Sequence, residues 1–492
     1  MPPPAFPQLF SEWQLGELTL RNRIVLSAMT TGFGYDAGVP DEDLLAYFTA
    51  RSRGVAMATV AFGAVAPEGR VEQKIPWMWR SDAAEALAPL AAAIDAAGAV
   101  PCLQLGHGGR QVSPKVIGAT PVAPSPVQPE VHVDVAPHEL STAETRDVIA
   151  AFIRAAGAAA AAGFSAVEVH GAHGYLIQQF LSPHSNLRDD EYGADRHRFG
   201  VEIIDGIRLE HPELAVIVRI NGSDLVPAGM QVDAAVDAAR RFAEAGAHAL
   251  LVSAGVYGSV PYTIPLLNDP EGCFLGLAAQ VRREVDVPVI GVGRITTPVT
   301  AETALLDGEV DAVAIGRALL ADPEWVEKAA AGRTEDIRPC IATVQGCAGM
   351  LQHGDPISCA VNPEVGREGR ASMSPPEPKP VTVVGGGPAG MEAARRAAEL
   401  GHRVTLLERA DELGGQLRLA RARLFKDLAG ATCAARPKLP SDDHDDGYIE
   451  LIEGGRSDRS PSVLVLSNNI DAVDGNGIPL GLQHATSLVP RD

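Results

Sequence analysis

Short, uninterrupted apolar runs recur through the first two thirds of the chain, at 24–28, 57–65, 100–106, 166–170, 215–221, 249–254, 288–293 and 312–316. Between them lie segments whose apolar positions return every three or four residues, such as 41–53, 143–162, 232–245 and 298–306. The runs read as strands and the periodic segments as helices. Continuous rather than alternating apolar strands imply a parallel sheet buried on both faces, and eight of them are enough to close a barrel. The predicted class is α/β with a (β/α)8 barrel over 1–335; an open doubly wound sheet is the alternative. A hairpin over 13–23, with Gly16 near its turn, would close the bottom. Insertions at 114–137 and 256–272 follow strand ends and should overhang the mouth.

At the end of the fourth run the chain reads AVEVHGAHGYLIQQF, which places His170, His173 and Tyr175 at one strand's C-terminal mouth, before an amphipathic segment begins at Leu176. In a barrel that is where ligands are handled, because the strand fixes the residues while the loop exposes them. The alternative, that these side chains merely stitch the loop, is weaker for three than for one. Strand seven ends in Gly293 and Arg294, strand eight in Gly316 and Arg317, with a helix starting at once. Glycines admit backbone N–H groups to an anion and arginine forks bind phosphate, so a phosphorylated ligand is expected there. Gln104 offers an amide that both donates and accepts, as the pyrimidine edge of a flavin requires. Arg219 would set a positive charge beside a ring that becomes anionic on reduction. Ala28, Met29, Thr30 and Gly63 supply small groups for a ring to lie against.

The formal charge of −21, without any Lys/Arg run, argues against nucleic acid and anionic membrane as partners and for an enzyme acting on a small molecule; a homo-oligomer stays open. The start MPPPAFPQLF has neither a basic leader nor an apolar core, and the alanine run at 155–162 is too short to span a bilayer, so the expected location is cytoplasmic. Of six cysteines, Cys340, Cys347 and Cys359 crowd into one segment and point to metal chemistry.

Ser27-Ala28-Met29-Thr30, QLGHGGR, EVHGAHGYLIQQFLSP with NLRDDEYG, VRIN, GVGRI and IGRALLADP, in this order, resemble the FMN barrel of the Old Yellow Enzyme superfamily. More narrowly they resemble its multi-domain branch, which includes 2,4-dienoyl-CoA reductases, enoate reductases and trimethylamine dehydrogenase. The resemblance implies that His170 and His173 hold a substrate carbonyl, that Tyr175 donates a proton, and that NAD(P)H or an external donor supplies electrons. The implied reaction is reduction of the activated C=C bond of an enoyl or dienoyl thioester, enoate or enone. Amine dehydrogenation or N-demethylation is a second reading; SAMTTGFG at 27–34 lacks the cysteine with which such enzymes attach FMN. A redox-inactive flavin-binding scaffold is a third.

That branch carries C-x2-C-x3-C-x11-C after the barrel; here 336–370 keeps Cys340, Cys347 and Cys359 but has Thr343 in second place. The readings are a three-iron cluster, a four-iron cluster completed by another ligand, or no iron, with zinc on three thiolates plus His353 as a distant alternative. A stiff linker at 371–380 leads to a strand and a glycine turn, Gly385 to Gly390, with Glu408 at the end of the next strand. This dinucleotide fingerprint, over 381–423, assigns Gly385, Gly387 and Gly390 to a pyrophosphate and Glu408 to ribose, and implies FAD. From 424 to 492 the resemblance stops: only 463–466 looks able to add a strand, and the acidic tail is expected to be partly disordered. The expectation is a truncated or frame-disrupted module, which puts FAD binding in question.

Overall fold

The structure is a computed structural model that describes residues 5–129, 135–260, 262–370, 377–417, 449–451 and 462–465. The loop interior at 130–134, the linker at 371–376 and most of the tail lie outside the described residues. The chain divides into two compact units, Met1–Gly369 and Arg370–Asp492.

In the first unit, β1 (Trp13–Leu15) and β2 (Leu18–Leu20) form the expected antiparallel hairpin. The barrel strands are β3 (Ile24–Leu26), β4 (Met57–Ala64), β5 (Val100–Gly106), β6 (Ala166–Gly171), β7 (Ala215–Asn221), β8 (Ala249–Ser253), β9 (Val289–Gly291) and β10 (Ala312–Ile315). Each pairs in parallel with its sequence neighbours, and β10 pairs with β3, so the sheet closes and the open-sheet alternative falls away. Helices such as Glu42–Ser52, Thr142–Ala161, Val232–Glu244 and Pro298–Leu306 form the outer layer.

The apolar runs are continuous because both strand faces are buried in different cores. Cys102, Ala166, Ala215, Ile217 and Leu251 point inward, where they pack with Trp13, Leu15 and Leu20 of the hairpin plug. Their neighbours Leu103, Val167, Val169, Val216 and Leu250 point outward into the core beneath the helices. Towards the C-terminal ends the inward positions turn polar: Gln104, Glu168, His170, Arg219, Asn221 and Ser253 are all buried. A buried aliphatic side chain stabilises by about 1.5–3 kcal/mol, whereas each buried ion costs several. The upper layer therefore spends stability that the lower layers supply, as a ligand site does.

The segment after Tyr175 departs from expectation. Helix Leu176–Leu181 is buried on every side rather than amphipathic. Its polar residues are consumed internally: Gln178 Nε2 donates to Asp224, and Gln179 Nε2 donates to the Gly174 carbonyl at 2.7 Å.

In the second unit, β11 (Pro380–Val384), helix Pro388–Glu399 and β12 (Arg403–Leu407) are joined by β13 (Ile449–Leu451) and β14 (Ser462–Val465). All four strands are parallel, in the order β13-β12-β11-β14. The tail thus contributes two strands rather than one; β13 reads Ile-Glu-Leu, and Glu450 breaks what would be its apolar run. No helix among the described residues is long and apolar enough to cross a membrane.

Candidate active site

Strand β6 delivers His170 to the barrel mouth, where its ring lies 5.1 Å from that of His173, 5.0 Å from Tyr175 and 5.8 Å from Phe62, all edge-on. His173 holds a left-handed backbone, φ +59°. Its N–H donates to Asn221 Oδ1 at 3.1 Å, and its Nε2 shares a 2.8 Å hydrogen bond with Ser253 Oγ. Asn221 is braced by Asp224, which accepts from Asn221 Nδ2, Gln178 Nε2, Ser182 Oγ and the Met230 N–H. The Tyr175 hydroxyl lies 3.1 Å from that of Tyr257, in the 256–272 insertion.

Burial, reinforced by the nearby Arg219 charge, pushes both histidines well below the ordinary imidazole range, so both are neutral at physiological pH. His170 Nδ1 is buried without a partner. Burial, with Tyr257 beside it, pushes the Tyr175 phenol well above 10, so it keeps its proton. The cluster can therefore donate hydrogen bonds to an oxygen and a proton to a carbon, without a standing charge.

Below it, Gln104 Nε2 donates to Glu168 Oε1 at 2.6 Å, and Arg219 Nη1 lies 3.8 Å from the same oxygen. Arg219 Nε and Glu168 Oε2 are buried without partners. Gly63 sits at the register shift between β4 and β5. Thr30 Oγ1 donates to Glu72, and Met29 lies against Gly316, where an added Cβ would come within 2.8 Å of its sulfur. At the far side Gly293 has φ +125°, a conformation that favours glycine, and an added Cβ would come within 2.9 Å of the Phe274 nitrogen. Arg294 and Arg317 each spend one N–H on the insertion, donating to the Asp269 and Pro265 carbonyls, both at 2.7 Å. Arg294 Nε is buried without a partner. Open donors, a glycine cradle and a buried arginine fit a flavin mononucleotide, which Gln104, Arg219, Gly293, Arg294, Gly316 and Arg317 would hold.

Cys340, Cys347 and Cys359 line one cavity together with Thr343 and Arg317, so the motif's spacing does bring its members together. Among the described residues no three His, Cys, Asp or Glu side chains are placed to hold a single metal ion. The zinc alternative with His353 is therefore unsupported. Three thiols are one short of the set that holds a cubane fully. In the second unit the turn starts at Gly385, φ +104°, and an added Cβ at Gly390 would lie 1.8 Å from the Gly385 carbonyl, so only glycine fits there. Gly387 caps the helix. Glu408, expected to face ribose, accepts from the Gly386 N–H at 2.6 Å and the Ala410 N–H at 3.0 Å, which hold its carboxyl below the ordinary range.

Residues 8–336 match the NADH:flavin oxidoreductase / NADH oxidase family. The chain belongs to this family. FMN is accordingly the cofactor of its barrel, and residues 380–424 match the FAD-dependent oxidoreductases. An NADH oxidase of Thermoanaerobacter brockii is 40% identical over 428 residues, 85% of this chain and 65% of that protein. The chain thus spans just under two thirds of that relative's length. A cinnamate reductase of Clostridium sporogenes is 33% identical over 451 residues, 85% of this chain and 67% of that protein. A solved 2-naphthoyl-CoA reductase complex is 28% identical, with a TM-score of 0.83 over 87% of this chain and 68% of its own.

Sequence reasoning missed Glu168, Asn221, Ser253 and Asp224 and gave Tyr257 no specific role. Glu168 left a trace, a lone acid at an inward position of the run AVEVH; Ser253 and Asp224 left none.

Proposed function

We propose that this chain is an FMN-dependent, NAD(P)H-linked oxidoreductase that reduces the activated C=C bond of an α,β-unsaturated thioester, acid or ketone. When bound, FMN carries the hydride. Neutral His170 and His173 hold the substrate carbonyl oxygen as charge develops on it, with Ser253 fixing the second ring and Asn221 its backbone. Tyr175 delivers its proton to the α-carbon, and Tyr257 lies where the resulting phenolate needs a donor. Tyr257 brings one residue of the 256–272 insertion against Tyr175. The observation that carries this reading is the Tyr175 ring 5.0 Å from that of a histidine, His170, whose Nδ1 is buried without a partner.

Amine dehydrogenation is the second reading, favoured by the apolar cluster that joins Tyr175 to Phe62 and to the stacked pair Trp77 and Trp79, since aromatic faces enclose cations. Two anaerobic mixing experiments separate them. Reduced protein is expected to be reoxidised by cinnamate, an enoyl thioester or cyclohexenone, and oxidised protein not to be bleached by dimethylglycine or histamine. The opposite pattern refutes the proposal; no reaction in either direction leaves the scaffold reading.

A further inference from the structure

Glu168 is an odd occupant of the barrel. Its side chain is fully buried, in an interior that from the hairpin plug up to this layer is apolar apart from Thr59. Placed on β6 in register with Gln104 on β5, it holds the Gln104 amide at 2.6 Å. His170, two residues on, is in register with Arg219 on β7, which brings the guanidinium to 3.8 Å from the same carboxylate oxygen. Oε1 is thus shared between an amide and a cation, and Oε2 has no partner. An apolar residue would fill this volume at less cost than a half-satisfied buried acid, so packing does not account for it.

Two consequences follow from the geometry. Because Glu168 accepts from Gln104 Nε2, it fixes which way the amide faces: the carbonyl is left as the acceptor, with one N–H to spare. Because Glu168 lies beside Arg219, part of the arginine's field ends on the carboxylate rather than at the barrel mouth.

We propose that Glu168 is a positioning residue that sets how much more tightly the barrel holds reduced than oxidised FMN, by orienting Gln104 and attenuating Arg219. The proposal rests on reading Gln104 and Arg219 as the groups that face the flavin ring. Removing the negative charge exposes the full arginine field to the anionic reduced ring, so the reduced form gains.

The test is the midpoint potential of the full, FMN-loaded chain, by equilibration with reference dyes, with FMN dissociation constants for both redox states. For Glu168→Gln the ratio of affinities, reduced over oxidised, is expected to rise about tenfold, which is about 30 mV in a two-electron couple. Arg219→Gln is expected to lower the potential, and Glu168→Gln added to it should then do little. An unchanged potential in Arg219→Gln would overturn the reading of Arg219 as a flavin contact. A lowered potential there, with none of the expected rise in Glu168→Gln, would overturn the proposal alone. Should Glu168→Gln not fold, Glu168→Asp keeps the charge but withdraws it from Arg219; a smaller rise is expected, and no rise refutes.

Discussion

Tyr175→Phe isolates one hydroxyl. The ring stays, and with it the edge-on contacts to Phe62 at 5.3 Å and His170 at 5.0 Å. What is lost is the 3.1 Å hydrogen bond to Tyr257, which should cost about 1 kcal/mol of stability. A positioned general acid contributes roughly 10²–10⁴-fold in rate, about 3–5 kcal/mol of barrel-mouth chemistry. The catalytic loss should therefore exceed the structural one several-fold, and a folded, flavin-loaded variant should show it cleanly. The assay is anaerobic stopped flow: pre-reduced protein is mixed with an enone or with a quinone and flavin reoxidation is followed. The quinone needs no proton on carbon, so only the enone reaction should slow by the full factor. Because burial holds the phenol well above 10, the wild-type enone rate should also show no loss from phenol ionisation up to pH 10. Equal slowing with both acceptors, or no slowing with either, would remove Tyr175 from the proton-donor role.

Four further outcomes are expected. His170 and His173 are depressed in the folded state, so the unfolded chain binds more protons below its ordinary imidazole pKa of about 6.5; the stability from keeping them neutral is full above that pH and lost as pH falls towards the folded values. Urea midpoints between pH 7.5 and 5 should fall less steeply in His170→Gln/His173→Gln than in wild type; parallel curves would contradict the neutral assignment. Gly293→Ala, forced to φ +125°, should weaken FMN binding by about 1–3 kcal/mol, roughly 5- to 150-fold, read by flavin fluorescence on titration; unchanged affinity would take Gly293 out of the phosphate cradle. Asp224→Asn turns one acceptor into a donor facing Gln178, Ser182, Asn221 and the Met230 N–H, and should cost about 2–4 kcal/mol in denaturant unfolding; a loss under 0.5 kcal/mol, as for an ordinary surface change, would mean the hub is not what braces Asn221. Thr343→Cys completes four thiols around the cavity and should raise acid-labile iron per chain above wild type under anaerobic purification; no iron in either would mean that the cavity holds no cluster.

What the sequence made legible and what it hid divide along one physical line. Barrel strands were readable because burial on both faces forces nearly unbroken apolar runs, and the site's position was readable because polar residues, Thr59 and Glu168 apart, gather at the C-terminal ends of those runs. His170, Gln104 and Arg219 sit at such interruptions, and Tyr175 follows just beyond one, at the start of the next helix. Partnerships were not readable, since they depend on register between strands distant in sequence. Ser253 meets His173 because β7 carries Asn221 into register with Ser253 on β8, and an isolated serine gives no sign of that. The 176–181 segment misled for a related reason: its glutamines mimic a solvent face, yet each amide is satisfied inside by Asp224 or Gly174. Glu408 shows the same limit, because a carboxylate at a strand end can meet a ribose or close on its own glycine turn, and the structure has it on Gly386. Glu168 is the instructive case. A charged residue inside an apolar run contradicts the local pattern, and such a contradiction is tolerated only where something buried answers it. Here the answers are an amide on one neighbouring strand and a guanidinium on the other, so Glu168 links three strands at the floor of the site.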